Sequence, residues 1–527
     1  MSFSSLFNTL ASAIQPKSFM SGGLLVIKDS IVKKVGNYYN CRNEITSIVF
    51  ADGVVEISEA AFMYCNELRS ITFPLSLRKI GNSAFDECYR LSEIHIAALW
   101  HWIEIGARVP PYTFFHRLYL NDELLTDLII PNGITKTIPS QAFENCVSIT
   151  SLNIPEGVTE ISSYAFSGCK NLTSVTLPRS LRKIGSGAFN GCENLSEVHI
   201  SDIIAWHKIE FLGNNLRQAK LYLNGEIVTN LVIPKGVTVI SSRSFTYCSS
   251  FTSITIPEGV TEISSGTFRN CKELSVINFP KSLLKIGKDA FDGCKNLSEI
   301  HISDIVAWHK IEFSGNNLRQ AKLYLNGEIV TNLVIPEGVT EISSRSFAHC
   351  WSFTSITIPE GVTEISSRAF LNCTSLTSII LPKSLRKIGD GAFSGCTRLS
   401  SLTIPEGVTE ISTNAFYECK SLTSITLPKS LRKIEYGAFE GCTWLSSLTI
   451  PEGVTEIASH AFYGCNSLTS ITLPTSLRKI GWNAFYGCKN LSEVHISNIQ
   501  AWRSIEFNSN PLKYAKSLYL NGKLTRP

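Results

Sequence analysis

One beat constrains this chain more than anything else. Its sixteen cysteines stand at 41, 65, 88, 146, 169, 192, 248, 271, 294, 350, 373, 396, 419, 442, 465 and 488, most of them 23 residues apart. The surrounding phrase recurs with them, as in residues 171–192 (NLTSVTLPRSLRKIGSGAFNGC) and 421–442 (SLTSITLPKSLRKIEYGAFEGC). A unit this short cannot enclose a core by itself, so such units bury their apolar side chains against one another and build a solenoid. A solenoid offers extended surface more readily than a closed catalytic cleft.

Three longer gaps mark an insert of fixed type. Cys88 to Cys146 is 35 residues beyond the beat, and Cys192 to Cys248 and Cys294 to Cys350 are each 33 beyond it. Its copies open with AALWHWIEIG at Ala97, SDIIAWHKIE at Ser201, a near-identical stretch at Ser303, and SNIQAWRSIE at Ser497. The division expected is an N-terminal cap over 1–23, repeats over 24–96, 132–200, 235–302 and 337–496, inserts over 97–131, 201–234 and 303–336, and a truncated C-terminal insert over 497–527. Each insert reads as a short helical segment and then a hairpin over Asn224-Gly225, Asn326-Gly327 or Asn521-Gly522, a strong short turn signal.

Within a unit, Leu172, Val175 and Leu177 point inward while Ser174 and Thr176 point outward, the alternation of a strand. Fourteen of the twenty prolines directly follow this strand, where a residue without an N–H closes it. Ile-Pro-Glu-Gly at 154–157 suits a type I turn. A second extended piece through Val158 and Ile161 follows, then one short helical turn carrying Ala165, Phe166 and Cys169 inward. Units alternate between VTEI and LRKI, so stacked coils place Glu364, Lys387, Glu410, Lys433, Glu456 and Lys479 in one line of alternating sign. That line reads as structural. Lys34, Glu56 and Lys79 continue it and make 30–41 a degenerate first coil.

The pattern resembles the BspA-like leucine-rich repeats, whose motif L-x-x-I-x-[IL]-P then I-G-x-x-A-F-x-x-C is filled in order by Leu422, Ile425, Leu427, Pro428, Ile434, Ala438, Phe439 and Cys442. The match runs from about residue 24 to 496. The resemblance implies a leucine-rich-repeat solenoid, with short parallel strands on one face, short helical turns or irregular coil on the other, and hairpin-containing inserts. It also implies adhesion or protein binding at the cell surface or in secreted form, and it carries over no catalytic residue. The start, MSFSSLFNTL, has no basic residue before Lys17, which makes a poor secretory signal. No anchoring sequence follows the last insert, so a cytoplasmic location is the alternative.

Composition and motifs exclude several classes. A net charge of +4 without basic runs gives no footprint for nucleic acid. No apolar run is long enough to insert in a membrane. No nucleophile elbow, phosphate-binding loop, zinc-protease helix or dinucleotide turn occurs, so the chain reads as no enzyme and as needing no cofactor. The cysteines stack with parallel side chains and read as free thiols in the core rather than bridges. His95, His199, His301 and His495 each follow a glutamate by two residues, but the accompanying Asp202 and His207 become Asn498 and Arg503 in the last copy, which argues against metal. These histidines are expected at the threonine position of the strand that ends each run.

The surface left for binding is the outward strand row. Its longest stretch without an insert contains Thr403, Thr426, Thr449 and Thr472, with Ser401, Ser424, Ser447 and Ser470 beside them, and is expected to form one continuous hydroxyl strip. The chain therefore reads as a non-catalytic binding or adhesion protein for a protein or glycan ligand, with a scaffold lacking a dedicated ligand as the alternative. Trp206, Trp308 and Trp502 are second candidates for the interface, although the inserts' own core is the simpler role. End-to-end self-association through the open C-terminal coil is a further expectation.

Overall fold

The structure, a computed structural model, describes residues 18–28, 31–32, 43–106, 116–213, 216, 219–315, 318, 321–507 and 515–525. Cys41, Lys34, most of the proposed first coil 30–41 and most of the cap 1–23 lie outside the described residues. The chain divides into two compact units, one of Met1–Thr229 with Ser241–Phe251 and one of Asn230–Ile240 with Thr252–Pro527. Both are β-solenoids of parallel strands.

Each coil contributes two strands to two separate sheets. In the first unit, Asp127–Ile129, Ser151–Asn153, Ser174–Thr176 and Glu197–Ile200 pair in parallel register in one sheet. Thr137–Ile138, Glu160–Ile161 and Lys183–Ile184 do so in the other. The middle residue of a first strand, such as Leu152 or Val175, is buried, as are Ile154, Val158, Ile161, Ala165, Phe166, Cys169 and Leu172. The inward set read from the sequence thus lies in the core, with Ile425 and Leu427 half-buried.

The third side of the coil is built from left-handed turns, the irregular coil of the expectation rather than its helical turn. Tyr164 and Gly168 have φ of 60° and 74°, a conformation that breaks a helix and swings N–H groups along the stack. As a result the N–H groups of Tyr164, Phe166 and Gly168 donate to Ser186, Ala188 and Asn190 of the next coil, at 3.1, 2.8 and 2.7 Å. Coils also approach closely after the second strand. A Cβ on Gly185 would stand 2.4 Å from the Ser163 nitrogen.

Two columns run through the core. Phe143, Phe166 and Phe189 stack face to face at 5.3 and 5.4 Å in the first unit. In the second unit, seven rings from Phe347 through Phe370, Phe393, Phe416, Phe439 and Phe462 to Phe485 stack at 5.1–5.6 Å. Beside them most cysteine thiols donate to the phenylalanine carbonyl of the preceding coil, as Cys169 to Phe143 at 3.1 Å and Cys442 to Phe416 at 3.2 Å, whereas Cys146 faces the Ser148 hydroxyl. A buried thiol so placed fills space and gives the carbonyl a second donor beside the backbone N–H of the cysteine in its own coil.

Coils are joined in VTEI–LRKI pairs by a polar staple absent from the reverse junction. The Glu156 carboxylate accepts from the Arg179 and Ser180 N–H groups of the next coil at 2.9 and 3.1 Å, while the Ser180 hydroxyl accepts from Gly157 N–H and donates to Val158 O. Glu258, Glu360 and Glu406 do the same, and Glu452 does so on Thr475. At the LRKI-to-VTEI junctions of the second unit the first sheet stops pairing. Ser355–Thr357 pairs with Ser378–Ile380 and Ser401–Thr403 with Ser424–Thr426, each sheet ending there. The charged line is less regular than expected: Lys183–Glu160, Lys387–Glu364 and Lys479–Glu456 form at 3.0, 2.7 and 3.0 Å. Lys433 instead turns to Glu435 of its own coil. Glu341 faces Glu364, and the Ser366 hydroxyl between them approaches both carboxylates.

The inserts continue the ladders rather than interrupting them. Glu210–Phe211 takes its place beside Lys183–Ile184, and Lys220–Leu223 beside Glu197–Ile200, before an antiparallel return at Glu226–Ile227 ends the first sheet. The return turns over Asn224 and Gly225, at φ of 52° and 86°, as the hairpin signal required. The helices Ile203–His207 and Ile305–His309 start on Asp202 and Asp304, whose Oδ1 accepts two backbone N–H groups each. Asn498 caps the helix Ile499–Arg503 in the same way. A cap needs only a side-chain oxygen, so Asp and Asn are interchangeable there.

The staple has a pH signature. Backbone N–H groups of Lys383 and Lys429 hold the Glu360 and Glu406 carboxyls below their ordinary value of 4.5. A depressed carboxyl contributes stability above its unfolded pKa and loses it as pH falls through the folded one. The thermal midpoint, followed by circular dichroism, is therefore expected to be flat above about pH 5 and to fall below it, and the double substitution Glu360→Gln/Glu406→Gln should flatten that acid limb. An acid limb of unchanged slope would remove the staple from the account.

Candidate functional site

The outward row of the first sheet places Asn153, Thr176, His199 and Tyr222 side by side in the first unit. In the second it places Thr255, Asn278, His301 and Tyr324 together, and separately Thr449, Thr472, His495 and Tyr519. Thr403 lies directly beside Thr426, with Ser401 beside Ser424, and Thr449 beside Thr472, with Ser447 beside Ser470. The four threonines are exposed, and among the described residues their hydroxyls have no protein partner. The neighbouring hydroxyls are engaged differently: Thr423, Ser446 and Thr469 donate to the carbonyl of the preceding coil at 3.0, 3.4 and 3.2 Å.

Strand pairing joins the four threonines of the expected strip two by two. No strand pairing joins Ser424–Thr426 to Ser447–Thr449, although the Ser446 N–H still donates to Thr423 O at 3.3 Å across that junction. Ile380, 78 % exposed, stands in the same row beside Thr357 and limits the hydroxyl surface on that side.

What sequence reasoning missed is the partner of the recurring histidines. His95, His199, His301 and His495 occupy the threonine position, as expected. Each then stacks on a tyrosine of the insert, Tyr119, Tyr222, Tyr324 or Tyr519, at 4.5, 4.7, 4.5 and 4.7 Å between ring centres. His199, His301 and His495 place Nε2 at 3.0, 3.1 and 3.2 Å from Glu197, Glu299 and Glu493, whereas His95 turns Nδ1 to Asp122. The recurring Tyr-Leu-Asn-Gly of the inserts carried this signal, since it sets a tyrosine one strand beyond each histidine. The aliphatic return residues Leu124, Ile227, Ile329 and Leu524 lie opposite the tyrosines and are exposed. Each row that runs into an insert therefore ends in an imidazole, a phenol and an aliphatic side chain.

One tryptophan in each of the first three inserts belongs to the core. Trp206 and Trp308 are buried, and their indole N–H groups donate to Ser244 O and Ser346 O at 2.8 Å. In the first insert Trp102 does this, to Ala142 O at 2.9 Å, while Trp100 is exposed. Trp502 is half-buried. Among the described residues no group of three His, Cys, Asp or Glu is placed to hold a metal ion, and no helix is long and apolar enough to cross a membrane. The fifteen described cysteines are free, and all but Cys192 and Cys294 are buried. Burial pushes the Cys146 thiol up to about 11 and those of Cys192, Cys248 and Cys350 to about 12.

The profile of the BspA type leucine rich repeat region matches residues 31–107, 115–224, 218–329, 320–445 and 409–518. Among solved structures, a leucine-rich repeat protein from Bacteroides ovatus is similar at 24% identity over 94% of this chain and 98% of that one, with a TM-score of 0.27. A leucine rich cell surface protein from Faecalibacterium prausnitzii is similar at 22% over 94% and 100%, with a TM-score of 0.28. The pneumococcal vaccine antigen PcpA is similar at 16% over 96% and 97%, with a TM-score of 0.33. No curated protein matches the chain.

Thiols of raised pKa inside a stacked core resist alkylation, since only the thiolate reacts. Titration with a thiol reagent near pH 8 is expected to find few reactive groups in the native protein and close to all sixteen after denaturation without reductant. A large deficit after denaturation would mean disulfides and would contradict the thiol-to-carbonyl columns.

Proposed function

This chain belongs to the BspA-type leucine-rich repeat family, and we propose that it is a non-catalytic binding or adhesion protein that presents the outward row of its first sheet to a protein or glycan. The observation that carries this reading is the state of Thr403, Thr426, Thr449 and Thr472: exposed, in register by pairs, and free of internal hydrogen bonds while Thr423, Ser446 and Thr469 just before the strands are committed to the fold. Side chains held at strand spacing with unspent donors and acceptors suit a ligand that makes repeated contacts. The weak charge of the row favours many modest hydrogen bonds over electrostatic steering. Recognition of this kind gains strength from multivalency. Placement at the cell surface or in secreted form agrees with the family.

The test replaces hydroxyls by charge. Thr426→Glu/Thr449→Glu should change stability by about 0.5 kcal/mol or less per site, as at other exposed positions. It should abolish binding by placing carboxylates where the ligand must strip away water. The core substitution Phe439→Ala, expected to cost about 3–5 kcal/mol, controls for loss through unfolding. Both variants and the parent would be applied to arrays of immobilised glycans and extracellular proteins. Signals lost only in the glutamate variant, with its thermal midpoint kept, support the reading. Signals equal to the parent's would exclude this row, and the absence of any saturable signal in the parent would favour a scaffold role.

A further inference from the structure

Away from both sheets, the turn side of the second unit carries a strip of aromatic side chains that most coils lack. Two residues after the second strand, other coils have Ser163, Ser186, Ser265, Lys288, Asp390 or Thr413, whereas two LRKI coils have Tyr436 and Trp482. These are 45% and 53% exposed. Between them lies His460, its ring centre 5.3 Å from Tyr436 and 5.0 Å from Trp482. His460 also touches Tyr463 at 5.3 Å, which stacks on the exposed Tyr486 at 5.5 Å. The rings therefore form one continuous surface over three coils.

The backbone fixes their positions. Asn414 N–H donates to Tyr436 O at 2.9 Å and His460 N–H to Trp482 O at 3.1 Å, so each exposed ring sits on a residue held by the preceding coil. His460 is costly to the fold in two respects. Its φ is 60°, where Gly437 and Asn483 in the neighbouring coils are better suited, and its Nδ1 is buried without a partner. Charge along the strip is sparse and nearly balanced: Glu418 is paired with Lys420 at 2.8 Å, and Glu440 folds over Gly437, its Oε2 3.3 Å from where a Cβ would stand.

We propose that this strip binds a linear neutral polysaccharide. Tyr436 and Trp482 are two coils apart, about 10 Å at sheet spacing, close to the length of one disaccharide unit, so successive disaccharides of a straight chain would meet the two rings in turn. Aromatic rings offer apolar surface to the C–H faces of sugars, and Glu440 accepts from their hydroxyls. The strip runs along the stack instead of closing around a point, which fits a polymer and not a single ammonium group. Its balanced charge gives an anionic polymer no counterpart. The site shares no residue with the first-sheet row, so the two readings stand or fall separately.

The full chain would be run in native gels containing hydroxyethylcellulose, glucomannan or galactomannan, with tryptophan fluorescence titrated against cellohexaose and mannohexaose. Retardation by at least one polymer is expected, and Tyr436→Ala/Trp482→Ala should weaken it about ten-fold or more while leaving the circular dichroism and thermal midpoint unchanged. His460→Asn, which removes the connecting ring but suits the backbone, should weaken it less and raise the midpoint. The Thr426→Glu/Thr449→Glu variant should be retarded like the parent. No retardation by any of the three polymers, equal retardation of the ring variant, or retention only on an immobilised proline-rich peptide would each overturn the proposal.

Discussion

Everything in this structure depends on one coil lying in register on the next. A single 23-residue coil has no interior, and its apolar set becomes a core only when the Phe rings of successive coils come to within 5.1–5.6 Å and thiols such as Cys442 and Cys465 reach the phenylalanine carbonyl of the preceding coil. A slip of one residue would turn every inward strand side chain to solvent. The left-handed turns of the third side enforce the same register independently, because they direct N–H groups along the stack at intervals fixed by Tyr164 and Gly168 or their counterparts. Register is thus specified both by packing in the core and by hydrogen bonding along the stack.

The stack is not uniform, and its modulation shapes the surface. Glu406 closes the VTEI coil onto the following LRKI coil through Lys429 and Ser430. The next junction has Arg432 over Gly453 instead and no ladder between Thr426 and Thr449. The working repeat of this stretch is therefore a pair of coils, and the outward hydroxyls come in pairs for that reason. The aromatic strip follows the same two-coil rhythm, since Tyr436 and Trp482 both sit on LRKI coils.

Much of this could be read from the sequence, and the failures have physical causes. Leu172, Val175, Ile161, Phe166 and Cys169 announce their burial by spacing alone, because stacking demands that equivalent residues share an environment. The prolines after the first strand mark its end correctly, since a missing N–H cannot be compensated in a ladder. The third side was harder. Alanine, phenylalanine and cysteine at helical spacing suggest a helical turn, but Tyr164 and Gly168 adopt positive φ, and single left-handed positions occupied by Tyr, Asn, Arg or His have no clear sequence mark. The His199–Tyr222 stack was hidden because its members are separated by an insert, and only the pairing of Glu197–Ile200 with Lys220–Leu223 brings them together. The glutamate staple is not legible in the sequence, because Glu406 looks like one more surface charge until its carboxylate is seen on the next coil's N–H groups.

The most direct test of the account is native-state hydrogen exchange resolved at single amides in the second unit. Ile404 and Ile450 donate to Thr426 and Thr472 of the next coil at 3.0 Å, and the left-handed turn amides Phe416 and Phe439 donate to Ala438 and Ala461 at 2.8 Å. No such bond joins Leu427 to Thr449 across the junction between pairs. Slow exchange is predicted at Ile404, Ile450, Phe416 and Phe439, with much faster exchange at Leu427. Equal protection of Leu427 and Ile404 would contradict the paired-coil architecture, and fast exchange at Phe416 and Phe439 would contradict register-locked stacking itself.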